Sequence, residues 1–176
     1  IVPWCADPTG QIVGWAAWNT KAQMWSPDYG DYWATITPRN AIQDFAFESK
    51  TVLYNLSPGG LVQKMPYTGT AWSTTLRDVD TYLLAAHTIA AYPEGKVLVG
   101  AAASYHAIYY AVSYSGNMNT DNPAFAVQSL AGRTPFFGNV HVAFHPAFKD
   151  NSTYFIADDD ANRAGGSVFR NSVAAQ

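Results

Sequence analysis

Short apolar or alternating runs, each closed by a cluster of Gly, Pro, Asn or Asp, make up most of this chain. Ile42–Phe47, Thr51–Leu56, Leu61–Tyr67, Lys96–Ala101, Ala107–Tyr114, Val140–Phe144 and Thr153–Ala157 have the length and the β-branched and aromatic content of strands. The longest stretch without Gly or Pro, Thr70–Tyr92, carries Thr74, Thr75, Val79 and Thr81, whose branched side chains favour strand over helix. The pattern therefore predicts an all-β chain of many short strands: a sandwich, a barrel or a propeller.

Internal repeats narrow that choice. Ala41–Gly69, Ala86–Gly116 and Asn139–Asn171 can be laid over one another. Each has an alternating strand, a polar turn, a second apolar strand, a small-residue turn and a third strand. Gly59-Gly60-Leu61-Val62 falls over Gly165-Gly166-Ser167-Val168, and Leu53 matches Leu98. A unit of about 40–50 residues with four strands is the period of a propeller blade. The turn after the third strand is the sharpest signal. Ser26-Pro27-Asp28-Tyr29-Gly30-Asp31-Tyr32-Trp33 reads S-x-D-x-G-x-x-W, a later segment keeps Gly69 and Trp72, and a third keeps Gly116. The three glycines are spaced by about 39 and 47 residues, one blade period each.

The Ser26–Trp33 segment resembles the Asp-box of the sialidase-like (BNR-repeat) β-propellers, S-x-D-x-G-x-T-W. The resemblance implies a hairpin turn between the third and fourth strands of a blade. Asp28 would accept bonds from its own turn, Gly30 would take a positive φ, and Trp33 would pack between blades. Tyr32 replaces the Thr of the motif, and Tyr67 and Tyr114 stand where the later copies would have Asp. The expected fold is a β-propeller of about four blades of four-stranded antiparallel sheets, at 12–40, 41–85, 86–138 and 139–176, the last incomplete. Because Ile1 is not a start methionine and the last unit stops short of its fourth strand, the chain reads as part of a larger propeller. The remaining blades would lie in the same or another chain, since an open ring leaves unpaired edges and an uncovered face.

Composition removes whole classes of function. Only 13% of residues are charged, the formal charge is -3 and no Lys/Arg cluster occurs, which argues against nucleic-acid binding. Cys5 is the single cysteine, so there is no disulfide framework. No stretch approaches the ~18 apolar residues of a membrane span. Low charge with abundant Thr, Ser, Asn and Tyr leans toward an extracellular or cell-surface protein. The 15% aromatic content, including the groups Trp15, Trp18, Trp25 and Tyr105, His106, Tyr109, Tyr110, fits packing layers between blades, with sugar stacking as the other reading.

Candidate chemistry is sparse. His141 and His145 form H-x3-H, but strand alternation separates the two rings by roughly 13 Å, too far for one metal. Asp158-Asp159-Asp160 follows a strand and offers closely spaced oxygens, a candidate calcium loop or a solvated acidic turn. Asn55-Leu56-Ser57 and Asn151-Ser152-Thr153 are glycosylation sequons, with Asn151 in the more exposed turn. Glu48 and Glu94, the only glutamates, sit in expected first-to-second-strand turns. A sialidase-like site would need a Tyr nucleophile with a Glu, an Asp acid and three clamping arginines. Arg39, Arg77, Arg133, Arg163 and Arg170 stand in no Phe/Tyr-Arg-Ile-Pro signature. G-x-S-x-G and nucleotide-loop motifs are missing.

The expected role is thus a non-catalytic extracellular or surface module for protein or glycan contacts, or a structural lattice component. The alternatives are a propeller glycoside hydrolase with catalytic residues partly outside this chain, and a scaffold or assembly-factor propeller.

Overall fold

The computed structural model describes residues 2–75, 78–83, 85–101, 113–120, 123–127, 138–159 and 168–172. Four antiparallel sheets follow one another along the chain, each paired in sequence order. Sheet 1 contains β1 (Trp4–Ala6), β2 (Val13–Ala16), β3 (Gln23–Ser26) and β4 (Ala34–Ile36). Sheet 2 contains β5 (Asp44–Ser49), β6 (Val52–Leu56), β7 (Leu61–Pro66) and β8 (Asp78–Asp80). Sheet 3 contains β9 (Ala86–Tyr92), β10 (Lys96–Ala101), β11 (Ser113–Asn117) and β12 (Phe125–Val127). Sheet 4 contains β13 (Val140–Phe144), β14 (Thr153–Asp158) and β15 (Val168–Ser172), with the one-turn helix α1 (Phe148–Asn151) between its first two strands. Most of the sequence-predicted Ala107–Tyr114 strand lies outside the described residues; its end falls in β11.

The sheets pack face to face, and burial explains the two hydropathy patterns. In β6, Leu53 belongs to the cluster shared with sheet 1, whereas Tyr54 and Leu56 belong to the cluster shared with sheet 3. In β10, Val97 and Val99 turn toward sheet 2 and Leu98 toward sheet 4. Both strands are covered on two faces, so they read as continuous apolar runs rather than as alternation. β2 and β13, in the first and last sheets, alternate in burial because each has one covered face. The first strands of successive sheets also touch: β1 meets β5, β5 meets β9, and β9 meets β13.

The contacts between sheets are polar as well as apolar. Gln23 and Asn55 exchange two amide bonds of 3.0 Å across the buried interface of sheets 1 and 2. The Ile89 amide donates to the Asp44 carboxylate at 2.9 Å, tying sheet 3 to sheet 2. The Thr88 hydroxyl donates to the Val140 carbonyl at 2.9 Å, tying sheet 3 to sheet 4. At that last junction the backbones come so close that a Cβ on Gly100 would run into the Val140 carbonyl, so only glycine fits. Gly14 has the related position between sheets 1 and 2, where a Cβ would meet the Phe45 ring at 2.9 Å.

Two readings of the sequence change here. β1 lies before Ile12, where the repeat rhythm opens its first unit; three residues ahead of the Asp7-Pro8-Thr9-Gly10 turn are too few to show alternation. Gly116 is not a turn glycine. It sits inside β11, opposite Val97 on one side and Phe125 on the other, and the turn follows it. That turn is closed instead by Asn117, which accepts from the Asn119 amide with its side chain and from the Thr120 hydroxyl with its carbonyl.

Candidate metal centre

Sheets 3 and 4 meet at their first strands, and two histidines meet there with them. His87, second in β9, and His141, second in β13, have ring centroids 4.8 Å apart at nearly a right angle. The β13–β14 register sets Val140 opposite Asp158, so the next residue along, Asp159, stands at Asn139. Its carboxylate accepts from the Asn139 side-chain amide at 2.9 Å and also from the Asn139 main-chain N–H. One Asp159 oxygen lies 3.8 Å from His141 Nε2. One donor atom from each of His87, His141 and Asp159 can be chosen so that all lie within 4.8 Å of one another.

The electrostatics of the trio are coherent. Burial lowers the basicity of His87, and His141 beside it adds to the effect against the pull of Asp159. A neutral imidazole keeps a lone pair free for a ligand. Burial alone would raise the Asp159 carboxyl, but the Asn139 bonds and the two histidines more than offset it and hold it below the ordinary carboxylate range. His87 is partly buried, while His141 and Asp159 are exposed. The trio is open to solvent on one side.

The sequence-predicted residues are distributed otherwise. Asp158 ends β14, Asp159 joins the histidines, and Asp160 lies outside the described residues. His145 takes no part, as the strand spacing requires. Its Nδ1 accepts the Ala147 amide at 3.0 Å and its ring lies against Phe155. Asn55 is corrected as a glycosylation candidate: only 4% of its surface is exposed and its amide is spent on Gln23, leaving no room for a sugar in the folded chain. Asn151 is exposed at the end of α1, where its side-chain Oδ1 accepts the Thr153 amide at 2.9 Å.

The Ser26–Trp33 segment joins β3 to β4. Ser26 Oγ donates to Asp28 at 2.8 Å and accepts the Gly30 amide at 2.8 Å. Asp28 accepts the Tyr32 amide at 2.8 Å, which holds its carboxyl below the ordinary value. Gly30 has φ of +103°, and the Trp33 indole donates to its carbonyl at 2.9 Å. In the later segment Gly69 also has a positive φ, and Tyr67 bridges to Trp72. Trp72 packs buried against Trp25, Phe47 and Tyr67, between sheets 1 and 2. Trp33 instead meets Trp4 edge-on at 6.1 Å.

Among the described residues, the contacts of the two glutamates are with non-carboxylate groups. Glu48 stands inside β5 rather than in a turn, accepting the Tyr54 hydroxyl at 2.5 Å and the Gly95 amide at 3.3 Å. Glu94 is exposed in the β9–β10 turn, 4.0 Å from Lys149. Arg39 binds Asp78 and the Thr74 carbonyl, and Arg170 is in β15; Arg77, Arg133 and Arg163 lie outside the described residues. Tyr105, His106, Tyr109 and Tyr110 also lie outside them.

The histidine pair was the site that the sequence reading missed. The available signal was weak: a histidine near the start of the first strand in each of two successive units, with Asp159 just past the second strand of the later one. Nothing in either segment alone brings three donors together.

No family model matches the chain, and no curated protein does. Solved structures do resemble it. A structure of U3-55K superposes with a TM-score of 0.61 at 11% identity, covering 95% of this chain and 45% of that one. A nidogen/laminin complex gives 0.62 at 14% identity, with 96% and 60% covered. The GH74 enzyme of Niastella koreensis gives 0.61 at 15% identity, with 97% and 24% covered. At such identities the likeness bears on the fold alone. It supports an all-β, propeller-like arrangement. The chain spans about a quarter to three-fifths of the length of these neighbours.

Proposed function

We propose that the chain is a non-catalytic module of a larger β-propeller, working at the cell surface or outside the cell through protein or glycan contacts. Its four sheets are read as successive blades, with β1, β5, β9 and β13 as the innermost strands. The Ser26–Trp33 turn is read as an Asp-box, and Gly69 and Trp72 as a reduced copy of it. The observation that carries this reading is the outer face of sheet 1. Cys5, Gly14 and Trp25 turn toward sheet 2, so their neighbours Trp4, Trp15 and Met24, aligned across the sheet, form a row on the opposite face. Trp4 is 65% exposed, and Val2 beside it 48%. The covered face of the same sheet sets Trp25 against Phe45, Phe47 and Trp72 of sheet 2, and the Trp4 row offers comparable apolar surface on the other side, so we read its occupant as a further blade of the same ring. The neighbours' greater lengths support that occupant. One of them is held in a complex between two proteins, nidogen and laminin, which agrees with a contact role. The structural bonds of Glu48 count against a paired-carboxylate hydrolase.

Light scattering on the purified chain tests the reading. The chain alone is expected to associate above its 19.1 kDa mass, and Val2→Ser/Trp4→Ser is expected to return it toward monomer. A monomeric parent that binds no hydrophobic dye would overturn the fragment reading. Turnover of a chromogenic glycoside, abolished by Glu48→Gln, would overturn the non-catalytic one.

A further inference from the structure

The histidine–aspartate trio at the junction of sheets 3 and 4 has the donor set of a transition-metal site. We propose that His87, His141 and Asp159 bind one divalent transition ion of the zinc class, linking β9 to β13 and leaving a fourth position open to solvent. Two imidazole nitrogens and one carboxylate oxygen suit zinc, cobalt or nickel, whereas calcium takes an all-oxygen shell. Of the Asp158–Asp160 run, Asp159 stands beside two imidazoles, a setting that favours the zinc class over calcium.

The geometry is close to what an ion needs. Bonds of about 2.0–2.1 Å in a tetrahedron put ligand atoms about 3.3 Å apart. The three donors already lie within 4.8 Å of one another, so side-chain rotation alone can draw them in. His141 Nε2 and the Asp159 oxygen are 3.8 Å apart, too far for a hydrogen bond and near the separation of two ligands of one ion. The perpendicular rings of His87 and His141 let both present a nitrogen edge to a common point. Asn139 acts as the positioning residue. It donates to the Asp159 carboxylate through both its main chain and its side chain, fixing the carboxylate in the way outer-sphere partners orient metal ligands.

The ligands come from three places distant in sequence, so an ion here would hold sheet 4 against sheet 3. That junction already depends on the Thr88–Val140 bond and on the close approach at Gly100. Asp159 and His141 are exposed, which gives the ion a way in.

The test uses the full chain and two ions, zinc and cobalt. Isothermal titration with zinc chloride is expected to show one equivalent bound. Cobalt(II) is expected to give the visible absorption bands of a four-coordinate site, bleached by one equivalent of zinc. His141→Gln and Asp159→Asn should abolish both signals while leaving the metal-free melting temperature within a degree or two, as for surface substitutions. Asn139→Ala should weaken zinc binding by about 10–100-fold and shift the cobalt spectrum, a change that a purely structural role would not produce. His145→Gln should bind like the parent. Binding that survives both His141→Gln and Asp159→Asn, a site preferring calcium over zinc, or no saturable zinc binding would each overturn the proposal.

Discussion

Asp44 opens β5 and accepts the Ile89 amide from the next sheet at 2.9 Å. It is a charge placed where one sheet presses on another. Burial pushes its carboxyl up from the ordinary value to about 6, against the Ile89 and Phe45 amide bonds that favour the ionised form. Between about pH 4 and 6 the folded chain therefore keeps a proton at Asp44 that the unfolded chain has released, and stability falls as pH rises. Above about 6 the loss is complete, at most about 3 kcal/mol for a shift of this size. Asp44→Asn retains an acceptor for Ile89 and carries no charge. It is expected to be more stable than the parent in urea at pH 7.5, with the gap closing by pH 4. A gap of the same size at both pH values would refute the burial cost. Nothing in the sequence around Asp44 marks it: an Asp before Phe45-Ala46-Phe47 reads as a strand-entry residue, and its partner is distant along the chain.

At the scale of the element, the β3–β4 connection shows how a short motif holds its shape. Ser26 is fully buried, and its single hydroxyl serves both the Gly30 amide and the Asp28 carboxylate. Removing it leaves the Gly30 N–H without that partner, at a cost of about 1–3 kcal/mol. Ser26→Ala is thus expected to lower the denaturation midpoint measurably. Thr68→Ala, in the exposed turn after β7, should stay within about 0.5 kcal/mol of the parent. Equal effects of the two would show that Ser26 is an ordinary turn residue. This element was legible in the sequence because the side-chain hydrogen bonds of Ser26, Asp28 and Trp33 that shape it close within Ser26–Trp33 itself. At Gly116 no such turn forms: the glycine continues the ladder of β11, between Val97 and Phe125.

For the whole molecule, the sheets differ in how much of each they cover. β6 and β10 are buried on both faces, whereas β15 alternates exposed and half-buried residues. Opening β15 exposes little apolar surface; opening β6 or β10 breaks two layers at once. Hydrogen exchange should therefore be slowest for the amides of β6 and β10 and much faster for Val168–Ser172. Uniform protection across the four sheets would contradict a layered stack. The same layering gives the chain its composition. Few charges and many aromatics are the consequence of four sheets that spend their faces on one another, with the Trp4 row left over on the flank of the first.

The sequence by itself determined the strands and their rhythm, because alternation, turn residues and repeat spacing are set by contacts a few residues apart. Val140–Phe144, Thr153–Ala157 and Leu61–Tyr67 all stand close to where their patterns put them. Its continuous runs, such as Val97–Gly100, already signalled strands without telling which residue faced which neighbour. Only the tertiary structure decided what crosses between sheets. It paired Gln23 with Asn55 and so removed a sequon, set Gly100 against the Val140 backbone, and gathered His87, His141 and Asp159 at one junction. The physical reason is the same in each case. A strand's pattern records that a face is covered, but not which distant residue covers it, and chemistry between sheets depends on that second fact.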